Sequence, residues 1–262
     1  MEAAISKRTA LVGGGSSGIG YAAAEHLARS GHRVVITGRR ADPLESAATA
    51  LRESTGSDVE ALVNDVSDPD GAAAAVKWVE ERHGALDVLV LNAGGPPPGR
   101  ILDVGDDQWQ QAYELLLLGP LRLARLVMPR MAARGFGRVL FVTSSAVRQP
   151  QPDLATSVVL RSAVTAAAKL LARECAAEGV TVNCVAPGAT ATARREQILE
   201  NRARTEGKSY AELDAADAAA VPAGRAGRPE EIAAVLEFLA SEAAGYVNGT
   251  VITVDGGRTE TI

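Results

Sequence analysis

Aromatic residues are scarce in this chain of 262 residues, at 3%, and its two cysteines, Cys175 and Cys184, stand far from any metal-ligating pattern. Few aromatics argue against a platform on which nucleic-acid bases stack. Two isolated cysteines predict reduced thiols and no metal site. Basic residues are also outnumbered, since 27 Lys and Arg stand against 32 Asp and Glu. The resulting net charge of −5 gives no basic field that would attract nucleic acid or an anionic membrane.

Long apolar runs are missing as well. No stretch approaches the roughly 20 consecutive apolar residues of a membrane span, and nothing after Met1–Arg8 predicts a signal peptide. Hydrophobic residues nevertheless make up 47% of the chain, which is enough for a sizeable core. These features predict a globular protein of the cytoplasm that binds neither nucleic acid nor membrane.

Short apolar runs alternate with Ala- and Leu-rich stretches along the whole chain. The runs are apolar on consecutive residues, as in strands buried on both faces. Seven strands are predicted: Thr9–Val12, Arg33–Thr37, Val59–Val63, Asp87–Leu91, Arg138–Thr143, Val180–Val185 and Thr250–Val254. Six helices are predicted: Gly18–Arg29, Pro43–Glu53, Asp70–Arg82, Asp106–Arg134, Asp153–Ala177 and Pro229–Ser241. This alternation predicts an α/β fold, a doubly wound parallel sheet of seven strands with helices on both faces, in a single domain over residues 1–262.

Two loops interrupt this pattern. Gly94–Gly99 is a stiff turn after the fourth predicted strand, and residues 190–226 form a long insertion without strand character. Ligands of open parallel sheets bind outside the carboxyl ends of the strands, and both loops follow strands. We therefore predict that residues 190–226 form a substrate lid.

The first strand runs into a glycine-rich turn that precedes a helix. Glycines let the backbone approach a pyrophosphate, whose charge the helix N-terminus favours. The spacing Gly-x-x-x-Gly-x-Gly at this place predicts a dinucleotide site in a Rossmann-type sheet. The residues predicted to contact the cofactor here are Gly14, Ser16, Ser17, Gly18, Ile19 and Gly20. The alternative is a glycine turn that serves only the packing of strand on helix.

The end of the second strand indicates which dinucleotide is bound. An NAD site usually carries an acidic residue there, to bind the ribose 2′-hydroxyl. Here Gly38 is followed by Arg39 and Arg40, and arginines can bind a 2′-phosphate. We predict NADP(H) rather than NAD(H), with Arg39 as the main contact and Arg40 as the better candidate for a solvated residue.

Further segments make the chain similar, essentially from end to end, to the short-chain dehydrogenase/reductase family, in its ketoacyl-reductase-like branch. The resemblance implies three more cofactor-binding segments, after the third, fourth and sixth strands: Asp65-Val66, Asn92-Ala93-Gly94, and Pro187-Gly188 with Thr192. The first would contact the adenine, the second would stabilise the sheet beside the cofactor, and the third would hold the nicotinamide carboxamide. The carboxyl-terminal signature of the family is matched by Gly224-Arg225, Pro229–Ile232, Asn248-Gly249 and Val254–Gly257. The resemblance also implies a homotetramer or homodimer.

The catalytic positions depart from the family pattern. In the family, the helix after the fifth strand begins with Tyr-x-x-x-Lys: the tyrosine protonates a carbonyl, and the lysine lowers its pKa and binds the nicotinamide ribose. These two positions fall on Ser157 and Arg161. The family's helix asparagine falls on Leu116, which core packing alone also explains. The serine that orients the carbonyl falls on Ser144 or Ser145, of which Ser145 is favoured.

These changes leave the cofactor segments intact but remove the usual proton donor. Arg161 can bind the ribose and stabilise a developing alkoxide, although a guanidinium is a poor acid. Three sources of a proton stay open: an enolic or phenolic substrate, Tyr210 in the lid, and Tyr113. The sequence thus predicts an NADPH-dependent reductase of a carbonyl group on a small or medium metabolite.

Two alternatives accompany this prediction. One is an NADP(H)-binding protein without turnover that acts as a sensor or assembly partner. The other resembles the halohydrin-dehalogenase-like branch, which also has arginine at the lysine position but keeps the tyrosine and gives up the nucleotide loop, the reverse of this chain.

The predicted lid carries a basic run in an otherwise acidic protein: Arg194, Arg195, Arg202, Arg204 and Lys208. One interpretation is recognition of an anionic substrate. The other is a solvated helix face paired with Glu196, Glu200 and Glu206.

Overall fold

Seven short apolar runs form one parallel sheet in the computed structural model, which describes residues 7–261. The strands are β1 Thr9–Gly13, β2 Arg33–Gly38, β3 Val59–Val63, β4 Val88–Leu91, β5 Gly137–Val142, β6 Val180–Pro187 and β7 Val251–Val254. Their order in the sheet is β3-β2-β1-β4-β5-β6-β7, and every pairing is parallel. The predicted fold class is confirmed, and the strand bounds differ from the predicted ones by two residues at most.

Helices cover both faces of this sheet. Their bounds are α1 Gly18–Arg29, α2 Ala41–Thr55, α3 Gly71–His83, α4 Asp106–Tyr113, α5 Gly119–Ala133, α6 Ala155–Glu174, α7 Ala193–Glu206, α8 Tyr210–Ala219 and α9 Pro229–Ala240. Because successive strand residues point to opposite faces, Ala10 and Val12 pack with α1, α2 and α9, while Leu11 packs with α3, α5 and α6. The two cores are separated by the sheet, as in a doubly wound fold.

The long helix predicted over Asp106–Arg134 is divided. Between α4 and α5 the backbone forms a π-helical turn, Glu114–Leu118. Within it Leu116 is buried beside Ala112 and Leu160, so core packing accounts for this leucine. A Cβ on Gly119, at the start of α5, would overlap the carbonyl oxygen of Val66. Glycine is therefore needed at this position, where the start of α5 contacts the loop after β3.

The predicted lid, residues 190–226, contains two helices that the sequence analysis did not predict, α7 and α8. Its two ends are tied together, since the backbone N–H of Ala191 donates to the carbonyl of Gly227 (2.8 Å) and that of Gly227 to Ala189 (2.8 Å). Thr192 caps α7, and Ser209 and Glu212 form a reciprocal capping box on α8. The insertion thus consists of a pair of helices, and its last residues return to the segment that follows β6.

By length and composition alone, α6 is apolar enough to cross a membrane. Its buried side chains, among them Val164, Ala168 and Ala172, belong to the core that packs against β5 and β6. Core helices of soluble proteins pass the same test, so this helix is weak evidence for a membrane span.

Candidate active site

The glycine turn after β1 has a backbone that side chains would obstruct. Gly14 and Gly18 adopt φ values of +61° and +56°, a region that favours glycine. A Cβ on Gly20 would overlap the carbonyl oxygen of Gly14. Ser16, Ser17 and Ile19 lie between these glycines, with Ser17 exposed. The turn leads directly into the N-terminus of α1, the arrangement that binds phosphate groups.

Asn92, which follows β4, holds this turn against the neighbouring strand. Its Nδ2 donates a hydrogen bond to the carbonyl of Gly13 (3.0 Å). A Cβ on Gly14 would lie 2.8 Å from the same nitrogen, so the two segments are in close contact. β1 and β4 are adjacent in the sheet, where the strand order reverses, and dinucleotides bind at this point in doubly wound folds.

The residues predicted to select and hold the adenine end lie along the next two strand ends. Arg39 and Arg40 follow β2 and are exposed, and their side chains make neither a hydrogen bond nor an ion pair with residues 7–261. Asp65, after β3, accepts hydrogen bonds from the N–H and the hydroxyl of Ser67 (2.9 and 2.6 Å). Val66 contributes its backbone carbonyl to the contact with Gly119. These positions follow β2 and β3 at the carboxyl edge of the sheet. The crevice outside this edge is where ligands bind in such sheets.

The segment after β6 brings the lid over the glycine turn. β6 ends at Pro187, and the N–H of Gly188 donates to the carbonyl of Val254 (3.0 Å). The methyl group of Thr192 faces Gly18, where a Cβ would lie 3.2 Å away. The predicted nicotinamide segment therefore lies beside the predicted pyrophosphate turn, as one continuous dinucleotide site requires.

Arg161 connects three elements at the same edge of the sheet. Its Nε donates to Ser157 Oγ on α6 (3.2 Å), its Nη1 to the carbonyl of Val142 at the end of β5 (2.6 Å), and its Nη2 to the carbonyl of Ala93 after β4 (3.4 Å). A guanidinium has five N–H donors, so two are left over by these bonds. Burial, with a smaller effect from the charge of Arg194, lowers the pKa of Arg161 to about 10. The group therefore stays charged at neutral pH.

The two candidate serines after β5 differ in what their hydroxyls do. Ser144 Oγ accepts a hydrogen bond from the N–H of Ala146 (3.1 Å) and so caps the short 3₁₀ turn Ser145–Val147. Ser145 is buried, and its Oγ makes no hydrogen bond within the part of the chain that the structure describes. The geometry thus favours Ser145 as the hydroxyl that remains available to a ligand.

Neither candidate tyrosine is enclosed in this site. Tyr210 is the first residue of α8, which packs against α7, and its side chain is 39% exposed. Tyr113 ends α4 and is 37% exposed. Their part in proton transfer stays a prediction.

The sequence analysis did not distinguish Arg194 from the other basic residues of the lid. Its Nη2 donates to the carbonyl of Pro96, in the loop after β4, and its guanidinium lies against Gly95, where a Cβ would be 3.1 Å from Nε. This basic residue of the lid therefore reaches the same loop that Arg161 contacts through Ala93. The other basic side chains of the lid donate to neighbouring carboxylates or, for Arg204, to the amide oxygen of Asn201.

Over residues 7–261, no three His, Cys, Asp or Glu side chains are grouped so as to hold an ion. Cys175 and Cys184 are not joined by a disulfide.

Comparison with known proteins identifies the family of this chain. A family model described as enoyl-(acyl carrier protein) reductase matches residues 14–259. The dehydrogenase/reductase SDR family member 4 of Bos taurus is 32% identical over 254 residues, which is 97% of this chain and 88% of that protein. The chain belongs to the short-chain dehydrogenase/reductase family.

Two other members of the short-chain dehydrogenase/reductase family are similar over nearly their whole length. The NADPH-dependent reductase BacG of Bacillus subtilis is 31% identical over 259 residues, which is 98% of this chain and all of BacG. The crystal structure of L-sorbose reductase from Gluconobacter frateurii, complexed with NADPH and L-sorbose, superimposes with a TM-score of 0.93 at 35% identity, with full coverage of both chains.

Proposed function

We propose that this protein is an NADPH-dependent reductase of a carbonyl group on a small or medium metabolite, with Ser157 and Arg161 in place of the family's Tyr and Lys. One observation carries the proposal. Two consecutive residues after β4 connect the glycine turn to Ser157 and Arg161. The side chain of Asn92 donates to the carbonyl of Gly13, and the carbonyl of Ala93 accepts from Arg161. BacG is named for its NADPH dependence, and the sorbose reductase was crystallised with NADPH.

The residues at the crevice fit NADP(H). A Cβ at Gly14 or Gly20 would collide with neighbouring backbone or amide atoms, so these positions need glycine. A turn of glycines lets the backbone approach a pyrophosphate closely. Arg39 and Arg40 extend from the end of β2 with their donors unengaged by residues 7–261, as binding of a 2′-phosphate requires. The glycine turn suits either dinucleotide, and the two arginines favour NADP(H) over NAD(H).

When bound, the reduced nicotinamide supplies the hydride that is added to the carbonyl carbon, while the carbonyl oxygen takes up a proton. Arg161 would use its two remaining N–H donors for the nicotinamide ribose and the developing negative charge. Ser157 Oγ accepts from Arg161, so its own hydrogen is left to be donated to the carbonyl oxygen. Ser145, whose hydroxyl makes no hydrogen bond within residues 7–261, would be the second group to orient that oxygen.

The first experiment is a titration of the purified protein with NADPH and NADH, followed by nicotinamide fluorescence. We expect micromolar binding of NADPH and much weaker binding of NADH. A panel of ketones, including enolic and phenolic ones, then identifies substrates by the consumption of NADPH. Failure to bind either dinucleotide would reduce the glycine turn to a packing feature and end the reductase proposal.

A specific observation keeps the second function, binding without turnover, in view. The tyrosines that could replace the family's proton donor, Tyr113 and Tyr210, are exposed on other helices. If the protein binds NADPH but no carbonyl compound causes NADPH to be oxidised, the protein would be a sensor or an assembly partner. The double substitution Ser157→Tyr with Arg161→Lys separates the two, because activity gained on simple ketones would show that only the acid is missing.

The state of assembly and the cellular location stay predictions. The family resemblance predicts a homotetramer or homodimer, and light scattering on the purified protein measures this directly. The sequence predicts a soluble protein of the cytoplasm, which fractionation of expressing cells would test.

A further inference from the structure

Four of the five residues of the basic run in the lid have their partners within the lid, and among these Arg204 donates to the amide oxygen of Asn201. Arg195 is held by two carboxylates of α8, Asp214 (2.6 Å) and Asp217 (2.8 Å). Arg202 and Lys208 both pair with Glu206. These three cations are therefore neutralised within the lid, as a solvated and paired helix face predicts.

Arg194 behaves differently. It turns from the first helical turn of α7 towards the loop after β4, where the partner of its Nη2 is the neutral carbonyl of Pro96. Nowhere between residues 7 and 261 does a carboxylate lie within ion-pair distance of Arg194. The absence of a side chain at Gly95 makes room for the guanidinium.

A second cation without a carboxylate partner lies nearby. Arg161 donates to the carbonyl of Ala93, three residues before the carbonyl that Arg194 contacts. Three residues of extended chain span at most about 11 Å, so the two guanidinium groups are attached to one short loop. The charge of Arg194 contributes to the lowered pKa of Arg161, which shows that the two groups repel each other. Like charges brought together in a poorly solvated crevice are stabilised when an anion binds between them.

We propose that Arg194 binds the carboxylate of the substrate through its own donors, while the charge of Arg161 adds attraction, so that the enzyme reduces oxo acids rather than neutral ketones. The inference rests on the proposed reductase function and names its substrate class. The planar fork of a guanidinium matches a carboxylate through two parallel hydrogen bonds. Arg194 would exchange the carbonyl of Pro96 for the acid, and the lid helix would then hold the substrate against the loop after β4.

The test compares oxo acids with their methyl esters, which keep the carbonyl and lose the charge. Pyruvate, acetoacetate and benzoylformate, each with its ester, are titrated by calorimetry into the NADP⁺ complex, in which no turnover occurs. We expect at least one acid to bind about 10- to 100-fold more tightly than its ester, the range of charged hydrogen bonds. Arg194→Met should abolish this preference, and Arg194→Lys should retain part of it.

Arg202→Met is the matched control, because Arg202 lies on the same helix and pairs with Glu206. It should leave the preference for acids unchanged. The NADPH affinity of Arg194→Met should equal that of the unaltered protein. Steady-state kinetics should show the same pattern, with kcat/KM for the acid reduced by Arg194→Met more strongly than kcat/KM for the ester.

Three results would overturn this inference. The first is the absence of any acid-over-ester preference in a protein that binds NADPH, which would leave the reductase function standing. The second is weaker NADPH binding by Arg194→Met with the preference intact, which would assign Arg194 to the cofactor. The third is tighter binding of inorganic phosphate than of the acids, which would assign the pair of arginines to a phosphorylated substrate. Failure of the protein to bind NADPH at all would instead refute the function on which the inference rests.

Discussion

At the scale of single residues, Arg39 carries the prediction of cofactor choice. It is exposed at the end of β2, where no neighbour among residues 7–261 competes for its donors. Arg39→Asp replaces a contact to the 2′-phosphate by a repulsive charge and offers a partner to a 2′-hydroxyl. We expect NADPH to bind at least about 10-fold more weakly and NADH more tightly, as measured by nicotinamide fluorescence.

Arg40→Asp is the control for this substitution, since it places the same charge one residue further along the chain. A smaller change in the ratio of the two affinities is expected. An unchanged ratio in Arg39→Asp would refute the assignment of Arg39.

Arginine at position 161 also leads us to expect an unusual dependence of kcat/KM on pH. A family member with tyrosine loses activity as that group ionises, whereas here burial and the charge of Arg194 lower the pKa of Arg161 only to about 10. Arg161 therefore keeps its charge as the pH rises towards that value. We expect kcat/KM for a ketone without an acidic group to be constant between about pH 6 and 9. Ser157→Tyr with Arg161→Lys should introduce a decline within that range, measured by NADPH consumption.

A decline below pH 9 in the unaltered protein would contradict this prediction. It would point to a tyrosine or another acid of the protein as the proton donor, and Tyr210→Phe and Tyr113→Phe would then show whether either one is responsible.

At the scale of elements, Gly119, the first residue of α5, brings this helix against the loop after β3. A Cβ there would overlap the carbonyl oxygen of Val66 and lie 2.8 Å from that of Glu114. We expect Gly119→Ala to destabilise the fold by about 1–3 kcal/mol, measured by urea unfolding, because the overlap forces the backbone to shift. NADPH affinity should also fall, since the shift displaces Asp65 and Val66.

Gly105→Ala is the corresponding control, because a Cβ at Gly105 has no neighbouring atom within 4 Å. Its stability and its NADPH affinity should stay close to those of the unaltered protein. Equal effects of the two substitutions would contradict the role given to the contact with Val66.

The same scale shows why the strands and most helices are predictable and the lid is not. Strands such as β4 and β5 are buried on both faces and leave uninterrupted apolar runs in the sequence. α7 and α8 each bury a single leucine, Leu199 and Leu213, so no apolar stripe marks them. The capping signal Ser209 to Glu212 was present and would have revealed α8.

The directions in which individual side chains of the lid point could be established only from the structure. Arg194 and Arg195 are neighbours in the sequence and identical in type, yet one contacts the loop after β4 and the other contacts α8. They separate because consecutive residues of a helix point about 100° apart. Only once Thr192 was known to cap α7 could the two arginines be assigned to different faces.

At the scale of the whole molecule, the site depends on contacts between distant parts of the chain. Asn92 donates to the carbonyl of Gly13, and Asn92→Ala would leave this acceptor at the crevice without its partner. We expect a loss of about 1–3 kcal/mol in the free energy of unfolding, together with weaker NADPH binding, because the glycine turn loses its support.

Asn248→Ala is the matched control, because Asn248 also joins two elements through its side-chain amide. It donates to Ala172 (2.8 Å) and accepts from the N–H of Val182 (2.8 Å). A similar loss of stability with unchanged NADPH affinity is expected. If both substitutions weakened NADPH binding equally, the effect of Asn92 would be one of general stability.

The strand order also governs how the protein is assembled as it is synthesised. β1 pairs with β4 in the register Ala10 to Val88, so the chain must have left the ribosome as far as Val88, 78 residues beyond Ala10, before this pairing can form. The unit of β1, β2 and β3 is complete earlier, but it presents one edge of β1 without a neighbour until β4 arrives. Because Asn92 follows β4, neither half of the sheet alone contains a finished nucleotide site. Nascent chains truncated before β4 are therefore expected to be insensitive to NADPH, and the dinucleotide can assist folding only after the two halves of the sheet have joined.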